Sequence, residues 1–202
     1  MVRALSVAAR AFRLWWQEIY LLIFFNLVWL TCQVLIVPGP PATAAMYLIA
    51  RRVADDELLE LRHGWEALRQ MFLPAWKWGA VNLLMLIVLG TNFVGYRMQT
   101  GLGWTMLRMV WGTIALAWFA MNLFYWPFWL AQSDRRLLTT YRNSALMLMK
   151  KPALGMTLML VSALVILISV AVTLPFAAAL MTWLALLGVL AVDEALRPDA
   201  AP

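Results

Sequence analysis

Residues 152–192 read PALGMTLMLVSALVILISVAVTLPFAAALMTWLALLGVLAV, 41 positions without an Asp, Glu, Lys or Arg. A bilayer core about 30 Å thick is crossed by roughly 20 helical residues, and a spanning segment must satisfy its backbone polar groups internally. The run is therefore long enough for two helical spans. Thr173-Leu174-Pro175 stands near its middle. Proline removes a backbone donor and turns its predecessor away from helix, so the turn between the two spans belongs there.

Outward from this run, three more stretches lack charge: Ile19 to Ala50, Trp78 to Tyr96 and Met109 to Ser133. Hydrophobic residues make up 64% of the 202 and charged residues 13%, half of the usual soluble share of about 25%. The reading is an all-α, polytopic helical membrane protein, a single membrane domain with about five spans at 18–37, 78–96, 109–132, 153–172 and 176–192. A signal peptide cut near Ala42-Thr43-Ala44 is the alternative for the first span, but its apolar run exceeds the 7 to 15 residues usual for such a peptide. The single cysteine, Cys32, lies within that span and has no partner in the chain.

Segment 1–17 reads as an amphipathic interfacial helix, with Arg3, Ser6, Arg10, Arg13 and Gln17 on one stripe. Segments 42–76 and 133–152 are the expected cytoplasmic loops, because eleven of the sixteen Lys and Arg collect on their side of a five-span chain. That assignment puts the N-terminus outside and the C-terminus inside. Each loop carries an apolar helical stripe: Leu58, Leu61, Trp65, Leu68 and Phe72 in one, Leu138, Tyr141, Ala145 and Leu148 in the other. Each is followed by a proline, Pro74 or Pro152, expected to open the next span. The mixed-sign faces of these helices are candidate partner-docking surfaces, with Arg62, Glu66 and Arg69 on the first and Asp134, Arg135, Arg136 and Arg142 around the second.

Catalytic chemistry has little to draw on. A lone histidine, His63, excludes a histidine-rich metal site or a histidine-based triad within the spans. No glycine-rich phosphate loop ending in Gly-Lys occurs, and the acidic run Asp55-Asp56-Glu57 points its neighbours in different directions. No catalytic residue, cofactor or metal site is expected. The net charge of +6 suits loops beside anionic lipid and requires no nucleic acid. Inside the spans the polar groups are neutral amides, and Asn26, Gln33, Asn82 and Asn122 are the expected interhelical contacts, with lining of a solute path as the sharper alternative. Most of the twelve tryptophans, Trp15, Trp16, Trp76, Trp78, Trp104, Trp126 and Trp129 among them, stand near span ends, where interface belts form.

The run NLVWLTCQVLIVPGPPATAAMYLIARR from Asn26, the run WEALRQMFLPAWKWG and the run YWPFWLAQSDRRLLTTYRNSALMLMKKPAL resemble the YesL-like family of small bacterial membrane proteins. What that resemblance implies is a multi-pass protein of the bacterial plasma membrane that accompanies carbohydrate uptake, with no assigned reaction. Its expected partners are the lipid bilayer and transporter subunits, or a second copy of itself. An accessory or scaffold role is the first functional reading. The second is a transport subunit, because Ala131-Gln132-Ser133-Asp134 and the following helix are similar to the coupling loop of sugar ABC permeases, although the Glu-Ala-Ala start and downstream glycine of that loop are missing.

Overall fold

The computed structural model describes residues 2–197, and these contain helices and no strand. Helix α1 (Val2–Gln17) meets α2 (Ile19–Val34) at a bend of 95°. After the turn at Leu35–Pro38 comes α3 (Gly39–Ala54), which the expected loop at 42–76 did not allow for. Pro38 is its N-cap and Pro40 and Pro41 fill its first turn, where a missing N–H costs nothing and a fixed φ favours helix. Prolines that looked like the end of one helix therefore start another. Ala42, Ala44, Ala45, Met46, Tyr47, Ile49, Ala50 and Val53 are buried, so the small-residue stretch packs in the core.

Helices α2 and α3 run antiparallel. Trp29 Nε1 donates to Thr43 Oγ1 at 3.0 Å, and Gln33 Nε2 donates to the Gly39 carbonyl at 3.1 Å. Glu18 at the start of α2 lines a pocket of about 100 Å³ with Val53, Asp56, Glu57 and Leu58, which close or follow α3. The pair is thus a hairpin whose two ends lie together.

Helix α4 (Leu61–Gly95) joins the expected surface helix and the second expected span into one rod of 35 residues. Pro74 lies inside it and does not open it. The histidine placed in a polar loop is buried at its start, where His63 Nδ1 accepts the Glu60 backbone N–H at 3.1 Å. The apolar stripe of this segment points outward, with Leu58, Leu61, Trp65 and Phe72 all exposed. The inward face is His63, Ala67, Met71 and Ala75, at a strict four-residue spacing. Alpha-4 passes the start of α3 where Trp76 Nε1 donates to the Val37 carbonyl at 3.1 Å, then continues to Gly95.

Helix α5 (Leu102–Ala131) returns along α4, and the Arg108 guanidinium closes the turn by donating to the carbonyls of Tyr96 and Gln99 at 3.3 and 3.1 Å. Helix α6 (Leu137–Lys150) and helix α7 (Pro152–Val172) follow, with Pro152 at the first turn of α7. A break at Thr173, whose φ is 59°, leads through the short α8 (Leu174–Ala178) to α9 (Leu180–Leu196).

Alpha-9 is the axis of the bundle. From Leu180 to Val192 every residue except Trp183 is buried, under α1, α2, α3, α5 and α7. Gly188 lets three helices meet: a Cβ there would lie 3.0 Å from Pro127 Cγ, 3.2 Å from the Leu123 carbonyl and 3.4 Å from the Tyr47 ring. Helices α4, α5 and α7 are long and apolar enough to cross a membrane, with a fourth span if α1 and α2 are one bent crossing. Helices α2 and α9, expected as spans, have 16 and 17 residues, about 24 and 26 Å at 1.5 Å per residue.

Candidate functional site

Two helices carry the same Trp-x-Ala-x-Asn pattern, Trp78 to Asn82 on α4 and Trp118 to Asn122 on α5. Positions i and i+4 share a helix face, so each asparagine stands one turn above its own tryptophan. Each Asn Nδ2 donates back to that tryptophan's carbonyl, at 3.0 Å for Asn82 and 2.9 Å for Asn122. The Oδ1 atoms are then aimed across. Trp78 Nε1 donates to Asn122 Oδ1 at 2.8 Å, and Trp118 Nε1 donates to Asn82 Oδ1 at 3.0 Å. The exchange is reciprocal and locks the register of the two antiparallel helices.

Tyr141 of α6 enters this exchange from the side. Its hydroxyl accepts from Asn82 Nδ2 and donates to Asn122 Oδ1, both at 3.2 Å. Its ring stacks on Trp118 with centroids 4.9 Å apart and lies 4.7 Å from Tyr125. Burial pushes the Tyr141 hydroxyl above its ordinary value, more than its bonds to Asn82 and Asn122 pull it down, so it stays protonated and remains a donor. Five side chains on three helices thereby satisfy one another without any ionised group, which suits positioning and not proton transfer.

A second cluster lies around the break before α9. Asn26, fully buried on α2, accepts the backbone N–H groups of Met181 and Thr182 at 2.9 and 3.2 Å, while its Nδ2 donates to the Ala177 carbonyl at 2.7 Å. Those two N–H groups belong to the first turn of α9 and have no partner within it. Asn26 is thus a helix cap supplied by another helix. Trp15 Nε1 adds a bond to Thr182 Oγ1 at 3.0 Å. At the far end of the bundle Arg51 of α3 makes a two-pronged pair with Asp193 of α9, at 2.9 and 2.7 Å.

All four amides expected to make interhelical contacts bond to another helix, with different partners: Asn26 reaches α8 and α9, Gln33 reaches the first turn of α3, and Asn82 and Asn122 reach each other's tryptophan. The docking candidates are not drawn together. Arg62, Glu66, Arg69, Asp134, Arg135, Arg136 and Arg142 are all exposed. Arg62 pairs with Glu60 at 2.7 Å and Arg136 with Asp134 at 3.4 Å, and no hydrogen bond or ion pair among the described residues joins the first group to the second. Asp55 and Glu57 turn to Arg51 and Arg52, at 3.5 and 3.1 Å.

The belt reading of the tryptophans fails for Trp15, Trp126 and Trp129, which are 7%, 0% and 6% exposed and form part of the core. Tyr141, Trp78 and Arg51 had no expected role in a site. The repeated Trp-x-x-x-Asn spacing is the signal for Trp78, whereas nothing local marks Tyr141, which joins from another helix, or a pair separated by 142 positions. Among the described residues no group of three or more His, Cys, Asp or Glu is placed to hold a metal ion. Comparison with protein-family models, with curated proteins and with solved structures finds no match to this chain.

Proposed function

We propose that this chain is a multi-pass membrane protein that acts by holding a partner, as an accessory or scaffold component of an uptake system in the bacterial plasma membrane. The supporting observation is the α4–α5 hairpin. Beyond the Trp–Asn–Tyr cluster it leaves Leu83, Leu84, Leu86, Ile87, Val94, Met109, Val110 and Leu116 exposed, and no atom approaches within 4 Å of where a Cβ would stand at Gly90, Gly95, Gly103 or Gly112. A two-helix surface this apolar needs lipid or protein around it. The link to carbohydrate uptake rests on the YesL-like resemblance alone.

The sidedness we propose differs from the five-span count. The start of α2, the end of α3 and the end of α9 share one end of the bundle, through the Glu18 pocket and the Arg51–Asp193 pair. Counted this way α2 and α3 cancel as a crossing, and both termini fall on the same side. Of the sixteen Lys and Arg, all but Arg97 and Arg108 at the hairpin turn then belong to that side, which the positive-inside rule makes cytoplasmic. The basic N-terminal segment, with Arg3, Arg10 and Arg13, fits this orientation.

A photoreactive amino acid at Leu86 or Val110, activated in native membranes, tests the scaffold reading. A discrete protein adduct at either position supports it. Adducts to lipid only, at both positions, leave the membrane assignment in place and remove the scaffold. The alternative, a transport subunit, draws on α6, a 14-residue helix between two apolar ones that exposes Arg142 while Tyr141 roots it under the hairpin. Stimulation of a co-expressed ATPase, abolished by Arg142→Glu, would favour that reading.

A further inference from the structure

Where the hairpin meets the bundle, Pro74 and Lys77 of α4, Tyr125 and Trp129 of α5, and Arg135 and Leu137 at the start of α6 enclose a pocket of about 100 Å³. A water molecule's share of liquid is about 30 Å³, so the space suits a group of a few heavy atoms. Its chemistry is one-signed. Lys77 and Arg135 have no acidic partner among the described residues, and Arg135 lies over the Trp129 ring with its guanidinium carbon 4.6 Å from the centroid. The nearest carboxylate along the chain, Asp134, is engaged by Arg136 Nε at 3.4 Å and by Thr139 Oγ1 at 3.1 Å.

Two further features point to a bound anion. Tyr125 is 2% exposed, yet its hydroxyl makes no hydrogen bond to any described residue while the side chain forms part of the pocket wall. The hydroxyl is not among the sealed, unpartnered polar atoms, which are Trp111 Nε1, Trp126 Nε1 and Ser162 Oγ among the described residues, so its donor is open to a group that enters the pocket. Helix α6 also begins in this wall, at Leu137, and no side chain caps it; its N-terminal N–H groups and dipole favour negative charge. Lys77 immediately precedes the charge-free run of α4, and Arg135 follows the one that ends α5. The pocket therefore stands at the edge of both apolar segments, at the level where lipid headgroups meet a membrane helix.

We propose that this pocket binds one phosphate group, of the kind carried by an anionic phospholipid. Lys77 and Arg135 supply the charge, the Tyr125 hydroxyl donates to a phosphate oxygen, and Trp129 holds the guanidinium flat. The site stands on these side chains and is independent of what the hairpin holds.

The purified full chain in zwitterionic detergent is titrated with short-chain phosphatidylglycerol and, separately, with inorganic phosphate, with binding read by native mass spectrometry. One phosphatidylglycerol should bind. Lys77→Gln and Arg135→Gln should each weaken it on the order of fivefold, and Tyr125→Phe on the order of tenfold. Lys77→Arg should retain binding, which separates loss of the site from loss of the fold. Arg136→Gln removes the same charge just outside the pocket and should weaken binding far less than Lys77→Gln does. If inorganic phosphate competes at equal strength, the site takes soluble phosphate; if it does not compete, the lipid is the source. Binding unaltered in the Lys77→Gln/Arg135→Gln double variant, or weakened as much by Arg136→Gln as by Lys77→Gln, overturns the proposal.

Discussion

Helix α9 and the outer half of the α4–α5 hairpin are alike in composition and opposite in environment. From Leu180 to Val192 and from Trp78 to Tyr96 both are free of charge, yet the first is enclosed by protein and the second is almost bare. Hydrophobicity decides that a segment leaves water and not which neighbour it then takes, since lipid tails are as apolar as leucine. The neighbour is chosen by polar groups and by shape. Alpha-9 has a capping amide from α2, an arginine partner from α3 and a glycine where α5 can approach. The hairpin has such anchors at its root, in the Trp–Asn–Tyr cluster, and again at its turn, where Arg108 holds the Tyr96 and Gln99 carbonyls.

The contrast is most exposed at Asn26. Asn26→Leu strands two backbone donors in the core, each worth about 1 to 3 kcal/mol, so the melting temperature in detergent should fall on the order of 10 °C. An unchanged melting curve would mean that α9 is not held in this way. At the root of the hairpin the stakes are smaller. Tyr141→Phe removes two hydrogen bonds but leaves the reciprocal Trp–Asn exchange complete, so a loss of about 1 to 2 kcal/mol is expected. Loss of the whole fold in that variant would make the tyrosine a keystone and not an addition. On the outer hairpin, Leu86→Ser should change stability in detergent by less than about 0.5 kcal/mol. A large effect there would show that the face is covered by protein.

The same contrast explains what was legible in the sequence. The break between α7 and α9 could be read because proline acts locally, and Thr173-Leu174-Pro175 does stand at the helix boundary. Pro38 to Pro41 acts locally too, but proline suits the first turn of a helix as well as it ends one, so the start of α3 carries the same signal as a loop. Pro74 is tolerated within α4, so a single helix carries the sequence signal of two. The amides could be singled out as polar groups needing partners, because the membrane makes that demand at any position. Which partner each finds depends on register between helices far apart in sequence, and the Asn26 cap and the Arg51–Asp193 pair exist only once that register is set. The docking residues illustrate the reverse: a mixed-sign exposed face is visible in a sequence whether or not anything binds it.

The sidedness proposed above puts the start of α1 and the end of α9 on one side of the membrane and the hairpin turn on the other. In a Cys32→Ala background, single cysteines at Ser6 and at Gln99 are challenged with a membrane-impermeant thiol reagent in right-side-out and inside-out vesicles. Ser6→Cys should label only in inside-out vesicles and Gln99→Cys only in right-side-out ones. Labelling of both positions from the same side would contradict it.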